Sequence, residues 1–187
     1  MSAPSDMATA AQTLAAAILS AASDPRNAIG KLGLLAQFNP NAAMSASVVG
    51  AAMAEMQDAS GDLFRRAAVV AMARASMAYQ PVSSDDAASI RNIVCDALDA
   101  EILIAADQGE DATFGALRTL RAAVVLDLNA RGAGLPPIAT ITIGQSLPAP
   151  VLAQRLYRDA TRSDELAMEA APPHPAFMPT TFKALSN

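Results

Sequence analysis

The spacing of apolar residues predicts helices over the first two thirds of the chain. Leu14 and Ile18 lie four residues apart among alanines, which predicts a helix from Ser5 or Asp6 to about Ser23. The same reasoning predicts a short broken helix within 24–41, helices over 42–57 and 62–79, and two long helices over 83–106 and 111–131. Glycine and proline separate them, at Gly30, Gly33, Ser60-Gly61, Gln80-Pro81, Gly109 and Gly132. Short connections between such helices favour an antiparallel bundle of four to five helices.

The pattern changes after a Gly/Pro-rich linker at 133–137. Residues 140–143 alternate Thr and Ile, which predicts a strand. Prolines at 148 and 150 precede a short helix, a second short helix fits 163–170, and 181–185 can return as a second strand. The predicted fold is therefore mainly α, with an Ala-rich helical bundle over 1–134 and a small β-α-α-β module over 138–187.

The composition combines strong helix preference with a thin core. Of 187 residues 45 are alanine, none is tryptophan, and aromatic residues make up 4%. Alanine is the best helix former but buries little surface. With a mean hydropathy of +0.26, many small apolar residues stay accessible in a lone chain, and extended apolar surface usually marks contact with a partner. The methionine-rich helices are interpreted as part of the core. The alternative is that their methionines form an adaptable surface that binds a partner.

Charge and residue content argue against several classes of function. A net charge of -5 does not fit the clustered cations of a nucleic-acid footprint. The lone Cys95, with apolar neighbours, is interpreted as a buried helix position. The lone His174, between prolines, is interpreted as a turn residue. We expect no enzymatic activity, no catalytic residue, no cofactor and no metal.

Acidic clusters in the bundle have simple interpretations. Asp107, Glu110 and Asp111 flank Gly109 without the spacing of a calcium loop, and are interpreted as caps of an interhelical turn. Asp96, Asp99 and Glu101 are interpreted as a solvated helix face. Asp6 precedes the first apolar run and no Lys or Arg does, so we expect no secretory signal. The uncharged span 32–54 contains Asn-Pro-Asn, so we expect no membrane-spanning helix.

The C-terminal module resembles a LysM-like module. Such modules show a strand, a Gly-Asp-x-Leu turn, Arg-x-Tyr-Gly-Asp and a later Pro-x-x-Ile-x-Pro-Gly before a closing strand. The matching positions are Gly144, Leu147, Arg155, Tyr157, Asp159, Pro175, Met178 and Pro179. Gln145, Arg158 and Thr180 stand where such modules carry Asp, Gly and Gly. The resemblance implies the fold more than it implies glycan binding.

A second resemblance covers residues 83–185. The segments that carry it, in order, are LDAEI at 98–102, DATF at 111–114, LRTLRAAVV at 117–125, RLYRDATR at 155–162, DEL at 164–166 and HPAF at 174–177. Together they resemble the C-terminal half of the Mu-type phage DNA-circularisation (tail) proteins, which are virion proteins of the distal tail and baseplate. Family members also carry a separate N-terminal domain, for which we expect no room in this chain.

This second resemblance implies a structural component of a phage or prophage contractile tail, at or near the baseplate hub. Its partners would be other tail or baseplate proteins, in multiple copies in a symmetric assembly, and its location the virion after synthesis in the host bacterial cytoplasm. The module would dock on a neighbouring tail protein, with Tyr157, Arg158, Arg162 and Phe177 as partner contacts. Two alternatives stay open: a peptidoglycan-binding LysM-type module, with glycan disfavoured, and a DNA-end-binding (circularisation) protein, with DNA disfavoured by the acidic charge.

Overall fold

A computed structural model describes residues 3–40 and 47–186, and confirms a mainly α fold with a small antiparallel sheet near the C-terminus. The elements in this part of the chain are, in order, α1 Ala3–Ala21, α2 Pro25–Ala36, α3 Val48–Ala78, α4 Ser84–Asp107, α5 Asp111–Gly132, β1 Ile138–Thr142, α6 Ala149–Tyr157, a 3₁₀ turn Ala160–Arg162, α7 Ser163–Ala170 and β2 Thr181–Leu185. The beginning of the helix predicted from residue 42 lies outside the described residues, as do residues 1 and 2.

The chain forms two compact units, each with its own core. The first comprises Met1–Gln80 with Ala88–Ala130, and the second comprises Pro81–Ala87 with Arg131–Asn187. In the first unit, helices contribute small and branched apolar residues to one cluster, whose largest fully buried members are Ile29, Leu32, Met72, Ile90, Leu98 and Leu128. Many of the other buried members of this cluster are alanines. Each of them contributes little to stability, because alanine removes little apolar area from water.

The segment predicted as a broken helix is the continuous α2. Asp24 caps its first turn, accepting a hydrogen bond from the backbone N–H of Asn27 at 2.8 Å, and Pro25 occupies the first helical position. Gly30 and Gly33 do not interrupt it, since glycine within a helix costs only about 1 kcal/mol and Ala28, Ile29 and Leu32 are buried.

The predicted break at Ser60-Gly61 is wrong, because α3 runs without interruption through both residues. Ser60 Oγ donates to the carbonyl of Met56 at 2.7 Å, a bond that helical geometry allows. Gly61 is buried, and a Cβ built on it would lie 2.6 Å from Cδ of Pro40. The glycine therefore serves close packing here, not termination.

The second unit contains the predicted strand–helix–helix–strand order. β1 and β2 pair antiparallel, with Ile138 opposite Leu185 and Thr142 opposite Thr181. Helices α6 and α7 and this two-stranded sheet share a core of Ala149, Leu152, Ala153, Tyr157, Leu166, Met178, Phe182, Ala184 and Leu185. The bounds of α7 and β2 agree with the prediction.

Candidate interaction surfaces

The four residues predicted to contact a partner occupy different environments in the second unit. Tyr157 is 8% exposed and belongs to the core. The Arg162 guanidinium lies 4.0 Å from the centre of the Tyr157 ring and is partly exposed. Arg158 is exposed just after α6, and Phe177, 72% exposed, lies between α7 and β2. Tyr157 can therefore act on a partner only through the residues that cover it, while the contact role of the other three stays a prediction.

Arg162 connects the core tyrosine to an ion pair on the surface of the module. Its Nε and Nη2 donate to the two carboxylate oxygens of Glu165 at 2.8 and 2.6 Å. These bonds raise the pKa of Arg162 and hold the pKa of Glu165 below its ordinary value. The geometry is bidentate, and it fixes the guanidinium plane over the ring.

Burial also changes the titration of Tyr157. Removal from water raises the pKa of its hydroxyl, and the negative charge of Glu165 acts in the same direction. The backbone of Leu185 lies near enough to oppose the shift, but the buried Oη atom has no partner with hydrogen-bond geometry among the described residues. The hydroxyl is therefore neutral at pH 7 and supplies packing.

Two residues of the module have left-handed backbone conformations without being glycine. Arg158, which ends α6, has φ 57°, and Ala171, which ends α7, has φ 45°. Position 158 is one where LysM-like modules carry glycine. A side chain in this conformation costs roughly 1–2 kcal/mol, so Arg158 occupies a backbone position suited to glycine.

Phe177 is held on a short turn, although most of its ring is exposed. The backbone N–H of Ala176 donates to Nδ1 of His174 at 3.0 Å, and the N–H of Phe177 donates to the His174 carbonyl at 2.9 Å. The two rings lie 6.1 Å apart. The sequence-based interpretation of His174 as a turn residue agrees with these bonds, which present Phe177 outward.

The predicted solvated acidic face of α4 is wrong for Glu101. Its side chain is 2% exposed and accepts hydrogen bonds from Nε of Arg65 at 3.1 Å and Nε of Arg66 at 3.0 Å. Arg65 also pairs with Asp62, and Arg66 Nη1 donates to Glu110 at 2.6 Å. Burial alone would lower the pKa of Arg66, but its bonds to Glu101 and the charge of Glu110 raise it above its ordinary value. We call these five residues the α3–α4 ion network.

The long-range pairs of the α3–α4 ion network could not be read from the sequence, because Glu101 and Glu110 lie 35 and 44 residues from Arg66. Asp99 likewise pairs with Arg121 of α5, at 2.5 and 2.8 Å, while Asp96 on the same helix is exposed. Gly109 has φ 70°, as expected of a helix-ending glycine. Many of the bundle's arginines are thus committed to carboxylates and hold helices together.

The beginning of α3 has large apolar side chains that are exposed to solvent. Its residues 48–59, which we call the arm, are all exposed or half-buried. The large apolar side chains exposed on the arm are Val48 (89%), Val49 (71%), Met53 (57%) and Met56 (66%). At the base of the arm this face continues into a groove of about 380 Å³ that also contacts Met7, Phe38 and Phe64.

A second apolar groove lies between the C-terminal half of α3 and α5. This α3–α5 groove has a volume of about 470 Å³ and is lined by Val70, Ala73, Arg74, Ser76, Met77, Leu120, Ala123, Val124 and Asp127. Ala73 and Ala123 are small enough to admit the backbone of another helix, as in close helix packing. Arg74 is exposed, and its guanidinium has no ionic or hydrogen-bonding partner in the described part of the chain.

Groups that could support chemistry are sparse in what the structure describes. Cys95 is buried as predicted, and burial raises the pKa of its thiol, which disfavours the reactive thiolate. Within residues 3–40 and 47–186, no three His, Cys, Asp or Glu side chains are grouped to hold a metal ion. The prominent features of the molecule are therefore surfaces.

No protein-family model matches the chain, and no curated protein matches it significantly. Over the described ranges, none of the helices is both long enough and apolar enough to cross a membrane.

Proposed function

We propose that this protein is a structural component of a phage or prophage contractile tail, at or near the baseplate, and that it works through protein–protein contacts. The observation that carries the proposal is the ordered set of sequence segments over residues 83–185 that resembles the Mu-type phage DNA-circularisation (tail) proteins. The strand–helix–helix–strand order of the module is the order that the LysM-like resemblance implies.

Exposed apolar surface gives a physical reason for an assembly role. Large apolar side chains are open to solvent on the bundle, at the arm, and on the module, at Phe177 and Met168. Such surface is costly in water and is characteristic of proteins that bind partners. The module presents Phe177 on a turn fixed by His174, so we take Phe177 as its principal contact with a neighbouring tail protein.

The direct test compares tails from phage with and without the gene by electron microscopy. Loss of the gene is expected to give tails with missing or open baseplates, and a plasmid copy should restore them. Phe177→Ala is expected to reduce incorporation into tails, whereas Met168→Ala, which shortens a still more exposed side chain on α7, should be incorporated normally. Intact, normally capped baseplates without the gene would refute the proposal.

Peptidoglycan binding is a second candidate, favoured by the β-α-α-β order and by the exposed aromatic ring of Phe177. Retention of the purified chain on cell-wall sacculi, abolished by Phe177→Ala, would support it over a purely structural role. DNA-end binding has less support, because Arg65, Arg66, Arg121 and Arg162 are engaged by carboxylates and phosphate contacts require free cations.

A further inference from the structure

The apolar side chains of the arm are not buried within their own copy of the chain. Its twelve residues, 48–59, extend about 18 Å at 1.5 Å per residue, and none of them is buried. The arm begins the 31-residue α3, and most of the stability of a helix in a protein comes from packing of its apolar face. Four large apolar side chains are exposed on it, so it is suited to being covered by a surface from outside this copy of the chain.

The arm is acidic as well as apolar. Glu55 and Asp58 are exposed, and neither carboxylate has a hydrogen bond or an ion pair in the described ranges. The arm carries no Lys or Arg. Its chemistry is that of an amphipathic helix with negative charge beside its apolar face, which is the type of helix that binds in an apolar groove with a basic rim.

The α3–α5 groove has the complementary chemistry. Its floor is apolar and includes the small residues Ala73 and Ala123, while the unpaired cation of Arg74 lies at its edge. Asp127 also borders the groove, and it already has an interaction within the molecule. The unpaired positive charge of Arg74 beside an apolar lining is thus complementary to the unpaired negative charges of Glu55 and Asp58 on the arm.

We propose that the arm of one copy of this chain binds in the α3–α5 groove of a second copy, with Glu55 or Asp58 paired to Arg74. A copy cannot fill its own groove, because Val48 and Arg74 belong to one continuous helix and lie about 39 Å apart along it. The proposed contact is head-to-tail, so that each added copy leaves one arm and one groove open. Such contacts close into rings or continue as filaments.

The proposal goes beyond the tail role, since it concerns the purified chain alone. The test uses sedimentation velocity of the full chain over a wide concentration range. An arm variant, Met53→Asp with Met56→Asp, and a groove variant, Arg74→Glu with Ala123→Glu, are each expected to weaken self-association about 100-fold. Because all four positions are exposed, circular dichroism should show unchanged folding. Leu103→Asp, at another exposed apolar position, on α4, is the matched control and should assemble like the parent.

Mixing the two variants is the decisive measurement. The arm variant keeps an intact groove and the groove variant keeps an intact arm, so a 1:1 mixture is expected to form dimers and nothing larger. A mixture that stays monomeric while the parent assembles would overturn the head-to-tail contact, and a parent that is monomeric at all concentrations would overturn self-association itself. Neither result changes the outcome of the electron-microscopy comparison of tails with and without the gene. Each proposal can therefore be refuted without the other.

Discussion

The carboxylate of Glu101 accepts a hydrogen bond from Arg66 Nε at 3.0 Å in a position where only 2% of its side chain is exposed. A second arginine, Arg65, donates to its other oxygen at 3.1 Å. A carboxylate this deeply buried is tolerated only when its charge is paired and hydrogen-bonded. These hydrogen bonds join α3 to α4 in a bundle whose core contains many alanines, each of which buries little apolar area.

We expect Glu101→Leu to lower the free energy of unfolding by about 3 kcal/mol, because it leaves two half-buried arginines facing an apolar group. Their remaining partners, Asp62 and Glu110, keep the loss from being larger. Urea denaturation followed by circular dichroism measures it. The matched control is Asp96→Leu at an exposed position of the same helix, where we expect a change below about 0.5 kcal/mol.

A triple variant tests whether the loss of stability comes from the unpaired arginines or from the absence of the ion pair itself. Replacing Glu101, Arg65 and Arg66 together by Leu, Met and Met removes the uncompensated charges as well as the pair. Buried ion pairs replaced by apolar groups are often neutral in stability, so we expect the triple variant to be more stable than Glu101→Leu alone. A triple variant less stable than the single one would show that the arginines act mainly through their other contacts.

Gly61 and Gly115 provide opposite tests of glycine within a helix. At Gly61 a methyl group would meet the stiff ring of Pro40 at 2.6 Å, whereas at Gly115 nothing lies within 4 Å. We expect Gly61→Ala to destabilise by about 1–3 kcal/mol through overpacking. Gly115→Ala should stabilise by about 0.5–1 kcal/mol through better helix propensity. Thermal unfolding compares the two, and stabilisation by both would contradict the close packing against Pro40.

The short elements of the module and the environment of Gly61 show how much of the fold can be predicted from the sequence. Local signals predicted the second short helix and the closing strand of the module, because acidic first-turn residues and prolines act within a few positions. Gly61 is buried where Pro40 approaches it closely, and the burial of Glu101 depends on arginines of another helix. Contacts at such separations leave no local trace in a single sequence. Tyr157 was placed in the module correctly but expected at a surface, since a tyrosine on a short helix fits both environments.

The pair of Arg162 and Glu165 should contribute to stability in a pH-dependent way. Hydrogen bonds from Arg162 lower the pKa of Glu165 from its ordinary value of 4.5, so the folded state favours the carboxylate. The contribution is therefore fully present above about pH 4.5 and is lost as the pH falls through the lower, folded pKa. Both side chains are partly exposed, at 33% and 40%, so the effect is small.

A double-mutant cycle with Glu165→Gln and Arg162→Met, measured by urea denaturation at several pH values, isolates this coupling from other titrating groups. We expect a favourable coupling energy at pH 7 that declines toward zero below the folded pKa. A coupling energy near zero at pH 7 would mean that Arg162 acts through the Tyr157 ring and not through the carboxylate.

The last prediction concerns Arg158, which ends α6 with φ 57°. Arg158→Gly is expected to raise the free energy of unfolding by about 1 kcal/mol, because glycine adopts the left-handed conformation without the Cβ penalty. Arg155→Gly is the matched control: it removes the same side chain from an exposed position inside α6 and should destabilise by about 1 kcal/mol. Since both variants lose one positive charge, opposite signs isolate the backbone effect, and destabilisation by both would contradict it. If Arg158→Gly is more stable and yet fails to enter tails, the strained arginine is kept for a partner contact, which is the role predicted for it here.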